Sequence, residues 1–578
     1  MTLTTFDKIK ERKIAQWALA YLAGAWLVLQ VVDVLGGMYS WPDSFVRSVP
    51  VMLVVGFLAT LVLAWYHGEK GAQRISGMEL GILATLLAIA GLGVMLVGGG
   101  HSASVPSIGS SGEADQKGTL DRASVAVLPF DNLSREDTEG YFASGLTEEL
   151  LATMARVPGL KVAARTSSFA FRDSSHSTEA IGQALGVAHL VEGSVRRAGD
   201  QVRVTARLVD AQSGSEMWTD TYERRLEDVF AVQERIARAV ARELRIRVGD
   251  AALARAGTEN IRAYDELLTG RAILERREGT TAEWIAAAET AFDAAIELDE
   301  NYAAAWGGLS RLRLQKAYRE ITDDPEAMYE AARDAAKRAL SLAPQQGDAL
   351  YTLGLIALHH DRDYQRAADE FQSAIDANPS DARSLALIGW ALHPLGQKSR
   401  AVRLAERALE LDPLSLTVLN NASSVLVLDG QVERATAILQ AALELEPDSP
   451  VLSSNLGAYL SLLGRHEEAI ERADRSVALA PESEEFRSMK TWVYARAGRI
   501  DQPDEALASI PEDDPAMRGN VAWALGKQAR AFEYFERAIR AGELSLADLE
   551  SDPFFDTVRD SRGWSDLIEL ARSVAGEK

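Results

Sequence analysis

Few residues in this chain have the type and spacing that chemistry needs. His466-Glu467 sits in RHEEAI, but a helical zinc site needs a second histidine four residues after the first, and position 470 is Ile. His359-His360 closes a helical stretch, where a solvated surface pair is the plainer reading than a metal site. Gly526-Lys527 is followed by Gln528 and lacks the upstream glycine of a phosphate loop, and no GxSxG elbow occurs. The chain has no cysteine, which removes thiolate ligands, cysteine nucleophiles and disulfides together. One polar cluster stands out: Arg165, Thr166, Ser167 and Ser168 could hold an anion or a peptide end, with a plain polar turn as the alternative. Trp218 and Tyr222 share one face of an expected strand and read as core rather than as a stacking platform. The expectation is a protein without catalytic residues, cofactor or metal, and not an enzyme.

The elements that would position the polar candidates follow from periodicity. Around Arg165 the pattern is α/β. Ser124–Phe130 reads as a buried strand, Thr147 as the cap of a helix through EELLATMARV, and Leu160–Ala164 as a second strand. Thr178–Leu185 reads as a short helix ended by Gly186. In the next segment Val202, Val204, Ala206 and Leu208 alternate with polar residues as in a half-buried strand, and an amphipathic helix covers Asp228–Arg247.

Further on, Pro344, Pro379, Pro413, Pro447 and Pro481 follow one another at intervals of 35, 34, 34 and 34 residues. A 34-residue period is the mark of tetratricopeptide helix pairs, and Leu385, Ile388-Gly389, Leu392, Gly396, Ala401 and Ala408 occupy its small and apolar positions. Small residues belong where paired helices approach closely. Gly396 and Gly464 allow the turn between them, and proline ends the second helix. Ala263–Asn301 fits with a longer loop, Tyr302–Pro344 with about ten extra residues around Ile321–Pro325, and the unit after Pro481 is degenerate, with Pro503 where a small helical residue is expected. About eight pairs are expected. The first helices of the pairs would line a groove, so Arg383, Ser384, Asn420 and Asn421 are candidate partner contacts, with solvated helix surface as the alternative.

The N-terminal part differs in kind. Apolar runs at about Ile14–Leu35, Val49–Trp65 and Leu80–Val97 are each long enough for a membrane span. Lys8, Lys10, Arg12 and Lys13 precede the first run, and Lys70 and Arg74 lie in the second loop, against Arg47 alone in the first. The positive-inside rule puts the N-terminus in the cytoplasm and everything after about residue 98 outside it. Asp33, near the outer end of the first run, is within a turn of the interface. The Gly98-Gly99-Gly100 stretch and its Ser-rich continuation read as a flexible tether.

Net charge is −23, and residues 251–578 hold 36 Lys and Arg against 56 Asp and Glu. A surface that binds nucleic acid is basic, so no nucleic-acid partner is expected. If the acidity steers a ligand, it favours a neutral to basic segment.

The motifs SVAVLPFDNLS, YFASGLTEELLATMARVPGLKVAARTSSFAF and LGVAHLVEGSVRRAGDQVRVTARLVDAQSGSEMWTDTYER occur in order. Together they resemble the TolB-amino-terminal-like (FlgO-like) domain over about Ser124–Leu244. That domain precedes tetratricopeptide repeats in many bacterial membrane proteins, often beside a cyclase, kinase or DNA-binding output module. The N-terminal AYLAGAWLVLQVVDVL and LVLAWYHGEKGAQRISG resemble the membrane region of members without such a module. The resemblance implies a bacterial envelope protein and carries no catalytic residue.

The expected plan is multidomain. It has a membrane region with three transmembrane helices (1–97), a flexible linker (98–120), a small α/β domain (121–250), an all-α tetratricopeptide superhelix (260–545) and a C-terminal cap (546–578). The expected function is a scaffold of the bacterial inner membrane, multi-pass in the lipid bilayer, that binds a protein or peptide in its repeat groove. The alternative is a sensory protein that signals to a separate cytoplasmic cyclase, kinase or transcription regulator.

Overall fold

The computed structural model describes Leu53 and residues 121–134, 140–172, 174, 176–246, 257–258, 260–276, 280–318, 321–322 and 324–576. The three apolar runs, Asp33 and the tether lie outside the described residues. Among the described residues no helix is long and apolar enough to cross a membrane.

The first domain is a mixed sheet with helices. Its strands are β1 (Ser124–Val127), β2 (Asp131–Asn132), β3 (Lys161–Val162), β4 (His189–Ala198), β5 (Gln201–Asp210) and β6 (Glu216–Arg225). The order is β3-β1-β4-β5-β6, and β2 also pairs with β4. β1 runs parallel to both β3 and β4, and β4-β5-β6 form an antiparallel meander. β1 and β2 follow one another along β4, interrupted at Pro129, which has no N–H to give the ladder. The alternation expected in β5 is present, with Val202, Val204, Ala206 and Leu208 buried. Tyr222 is buried on the same face and Trp218 is half-buried.

Helices α1 (Gly140–Ala155), α2 (Arg165–Phe169), α3 (Thr178–Leu185) and α4 (Val229–Glu243) complete this domain. Val125, Val127 and Val191 face one core with residues of α1 and α4, while Ala126, Leu128 and Leu190 face a second core with residues of α3. Two local expectations change. Thr147 is inside α1, not at its start: its hydroxyl donates to Ala143 O and accepts from Phe130 N, so it ties the helix to the strand. Arg165–Phe169 is a short helix, not a turn. Gly186 does end α3, in the left-handed region at φ 61°.

The remainder is helical. The pairs are α5 (Ile261–Arg276) with α6 (Thr281–Leu298), α7 (Ala303–Tyr318) with α8 (Pro325–Leu342), and α9 (Gly347–Leu355) with α10 (Tyr364–Ala377). They continue with α11 (Ala382–Leu392) and α12 (Lys398–Leu411), α13 (Leu416–Leu428) and α14 (Val432–Leu445), and α15 (Pro450–Leu462) and α16 (His466–Leu479). The last two are α17 (Glu484–Arg496) with α18 (Pro503–Ala508), and α19 (Pro515–Ala524) with α20 (Gln528–Arg540). Among the described residues this makes eight pairs. Ser415, Ser449 and Ser483 each stand two residues after a repeat proline and cap the next first helix by accepting from its N3 amide. Gly389 marks a close approach, since a Cβ there would stand 2.5 Å from Val425 Cγ2. Degeneracy after Pro481 takes a definite form: Pro503 opens a helix of only six residues. The His359-His360 pair ends a π-helical turn (Ile356–His360), with His360 held by Asp361 and Glu326.

Residues 545–576 close the array. They comprise α21 (Leu546–Ser551), a 3-10 turn (Pro553–Phe555) and α22 (Trp564–Gly576).

Candidate functional site

Two places bring polar side chains together from distant parts of the sequence, and both lie against the first helices of the repeat pairs.

The first is the junction of the α/β domain with the array. Tyr264 and Leu268 of α5 join the core formed by α1 and the sheet, so domain and array share apolar contacts. Gly145 on α1 permits this approach, because a side chain there would run into Leu268. Around that contact the charges pair. Arg197 lies 3.2 Å from Asp265, and Arg271 lies 2.8 Å from Glu149 and 3.6 Å from Asp348. Burial disfavours the Arg271 charge, but Glu149 and Asp348 more than offset this and hold its pKa above the ordinary guanidinium value. Burial likewise opposes the Asp348 carboxylate, yet Arg271, Arg311 and Arg383 keep its pKa below the usual range.

At the far end of this junction a strand edge meets a repeat turn. Ala164 N donates to Leu411 O at 2.8 Å. Ser167 donates through both its amide (2.8 Å) and its hydroxyl (2.6 Å) to Asp412 Oδ1, and its hydroxyl accepts from Leu414 N. Burial raises the Asp412 pKa, and the Ser167 hydrogen bonds resist that rise.

Between these contacts lies a cleft of about 260 Å³ lined by Tyr141, Ser144, Glu148, Arg165, Arg172 and Arg271 among others. Arg165 pairs with Glu148 at 2.7 Å, and the Arg165 and Arg172 guanidinium groups both lie over the Phe169 ring. The chemistry available is recognition of a carboxylate or another small anion by planar guanidinium forks.

The second place is the closing segment, which returns across the array. Arg362 donates to Ala541 O at 3.1 Å, His393 Nε2 lies 3.2 Å from Asp548 Oδ1, and Phe554 stacks on Trp492 with centroids 4.5 Å apart at 22°. Trp523 Nε1 donates to Thr557 Oγ1. The end of pair eight and the closing segment thus reach back to pairs three, four and seven.

The residues singled out from sequence fare differently. Ser167 and Ser384 are wholly buried, so their side chains do not face solvent. Ser167 is consumed by Asp412, and Ser384 donates to Asp381 at 2.7 Å. Arg383 is partly exposed, lies 3.7 Å from Asp348 and covers the Tyr351 ring. Asn420 is half-buried and accepts from Asn455 Nδ2 at 2.8 Å, and Asn421 is half-buried beside it. Arg165 lines the cleft. Arg271, Asp412, His393 and Asp548 were missed, because each is an ordinary charged residue in a helix or turn whose partner is remote in sequence. Among the described residues no group of His, Asp and Glu is arranged to hold a metal ion.

Sequence models of the tetratricopeptide repeat match residues 328–382, 387–450 and 426–493. The chain is 36% identical over 231 residues to a protein named putative adenylate cyclase 3 from Rhizobium meliloti (strain 1021). That alignment covers 39% of this chain and 38% of the relative, so the chain spans well under half of the relative's length. Similar solved structures include YrrB, described as a tetratricopeptide protein with an unusual peptide-binding site (21% identity, 36% of this chain, 98% of that one, TM-score 0.26). PilF of Pseudomonas aeruginosa is similar at 15% identity over 39% of this chain and 96% of that one, with TM-score 0.31. A tetratricopeptide protein of Parabacteroides merdae is similar at 16% identity over 46% and 99%, with TM-score 0.31. The chain therefore contains tetratricopeptide repeats, an architecture that binds peptide or protein partners.

Proposed function

We propose that this chain is a membrane-anchored interaction scaffold of the bacterial envelope, in which the α/β domain and the repeat array act as one rigid receptor outside the cytoplasm. The observation that carries this reading is the junction. The repeat array is tied to the α/β domain through a shared core, partly buried ion pairs and the Ser167–Asp412 hydrogen bonds. A domain so fixed presents its own surface in a constant relation to the repeats, as a scaffold for one partner with two contact points requires. Arg383, Asn420 and Asn421 are the proposed partner contacts on the array, and Arg165 in the cleft is the proposed seat for a carboxylate. The apolar runs and the placement of Lys and Arg around them support anchoring in the inner membrane. The resemblance of the α/β motifs to the TolB-amino-terminal-like (FlgO-like) domain supports the envelope assignment.

A second reading is favoured by the relative named as an adenylate cyclase. On that reading the receptor reports its occupancy through the membrane region to a separate cytoplasmic enzyme.

One measurement tests the topology that both readings share, and a second separates them. A reporter active only in the cytoplasm, fused after Lys578, should be silent, and a bright signal would refute the topology. Co-purification of the full chain from gently solubilised membranes should recover envelope proteins. Recovery of a cytoplasmic cyclase, kinase or regulator would replace the scaffold reading with the sensory one.

A further inference from the structure

The closing segment is docked as a ligand would be. Ser545 and Asp548 form a capping box in which Asp548 Oδ2 accepts from the Ser545 amide and hydroxyl, which leaves Oδ1 facing His393 of α11. His393 is 3% exposed, so the acid enters a buried place. One turn later Asp552 Oδ1 accepts from Phe554 N and fixes the Pro553–Phe555 turn. That turn delivers two rings. Phe554 lies flat on Trp492 of α17, and Phe555 is buried edge-on against Phe535 of α20. The floor is made of first-helix groups that are themselves preset. Arg496 stacks on Trp492 and donates to Ser461, and Tyr459 bonds to Ser424.

The array is acidic as a whole, but the groups that receive this segment are a histidine, arginines and aromatic rings. The overall count of 36 basic against 56 acidic residues therefore misdescribes the face that does the binding. At this face the local groups favour an acidic-aromatic segment, whatever the charge of the array as a whole.

We propose that the face of pairs four to eight that holds His393, Trp492 and Phe535 is a binding site for an acidic-aromatic turn, and that residues 545–559 are its resident, displaceable occupant. The partner is a protein segment bearing one carboxylate followed, about one helical turn on, by an uncharged hydrogen-bond acceptor such as Asn, then proline and two adjacent rings. This rests on the reading of the array as a receptor and supplies its ligand class. The resident segment is a self-ligand with a built-in weakness. Asp548 and Asp552 stand one turn apart in a partly buried place, and burial together with Asp548 pushes the Asp552 carboxyl up to about 7. A partner that carries one acid there rather than two would replace it.

The test uses the full chain in detergent and a fluorescent synthetic peptide with the sequence of residues 545–559. The wild-type chain, whose site is filled, should bind the peptide weakly. The Phe554→Ala chain, whose own segment lacks its stacking ring, should bind the same peptide at least about tenfold more tightly. Adding Trp492→Ala to that chain should abolish binding. A peptide carrying Asp552→Asn should bind more tightly than the unmodified one. Hydrogen exchange on residues 545–559 should rise in the Phe554→Ala chain and fall again when peptide is added. A Phe554→Ala chain that loosens its segment yet does not take up the peptide would overturn the proposal and leave a purely structural cap. In that event the scaffold reading still stands on partner recovery, which is measured separately.

Discussion

The two long-range contacts of this molecule solve the same problem with different chemistry. The α/β junction is built from fixed charge pairs and from hydrogen bonds to a buried carboxylate, with a shared apolar core behind them. The closing segment is held by rings, by one acid against one histidine and by a second acid that burial makes reluctant to ionise. Buried ion pairs contribute little net stability over apolar packing, but they fail sharply when one partner is lost. That makes the first contact an all-or-none joint. Stacked rings contribute without an orientation-critical partner, and a carboxyl titrating near neutrality can be loosened by its surroundings. The second contact is therefore the one suited to release.

The comparison is broken most severely at Arg271. Arg271→Ala would leave Glu149 without its cation and Asp348 with Arg311 and Arg383 only, at a cost of about 2 kcal/mol for these partly buried groups. Urea unfolding of the full chain should show that loss, and an unmoved midpoint would mean the carboxylates find other cations. Gly389→Leu is a control within the array, away from the α/β domain. The added side chain meets Val425, overpacking costs about 2 kcal/mol, and the loss spreads to neighbouring pairs. Thermal unfolding should register it, and an unchanged curve would mean that the helices part there at little cost.

The closing segment is tested by pH. A carboxyl whose pKa is raised on docking takes up a proton on docking between its free value, about 4, and about 7. Docking is therefore strongest in acid, weakens as pH rises through that window and is weakest above it, by at most about tenfold per pH unit. Asp548, His393 and Arg559 are the charged groups that face Asp552. Exchange protection of residues 545–559 should follow that direction, and Asp552→Asn should flatten the profile. Protection that grows with pH would contradict the argument. The smallest expected effect is at Ser167. Ser167→Ala removes the hydroxyl bonds to Asp412 and from Leu414 N but keeps the amide bond, for a loss of about 1.5 kcal/mol in the same urea titration.

These contacts also mark where sequence reading ends. The array was legible because its information is local: the proline interval, the Gly389 contact and the turn glycines repeat within one unit. In the α/β domain the alternation of β5 and the Gly186 stop were legible for the same reason. Thr147 misled because a threonine before two glutamates satisfies the local rule for a helix start, while its actual partner, Phe130 N, lies 17 residues upstream. Ser167, in a polar stretch after a strand, and Ser384, near the start of a first helix, have the residue type of partner contacts, but each serves a buried carboxylate. The Ser167–Asp412 pair spans 245 residues, and a single sequence contains no periodicity that links them. Net charge is limited in another way, since a sum over 328 residues does not register which few of them line one face.

Arg362 and Ala541 are 179 residues apart, yet one guanidinium joins them. In an open solenoid each unit feels only its neighbours, so units can fray one at a time from either end. A clasp between pair three and the end of pair eight changes that order. The intervening units become a closed loop whose opening costs share one step, and the clasp itself forms only after the chain between has assembled. The loop entropy of that late closure grows slowly with length, but its contact order is high. Folding should then pass through a fast, local phase that builds helices and a slow one that locks them. A repeat array of this construction responds to release of its clasp along the entire run of repeats rather than at the point of release alone.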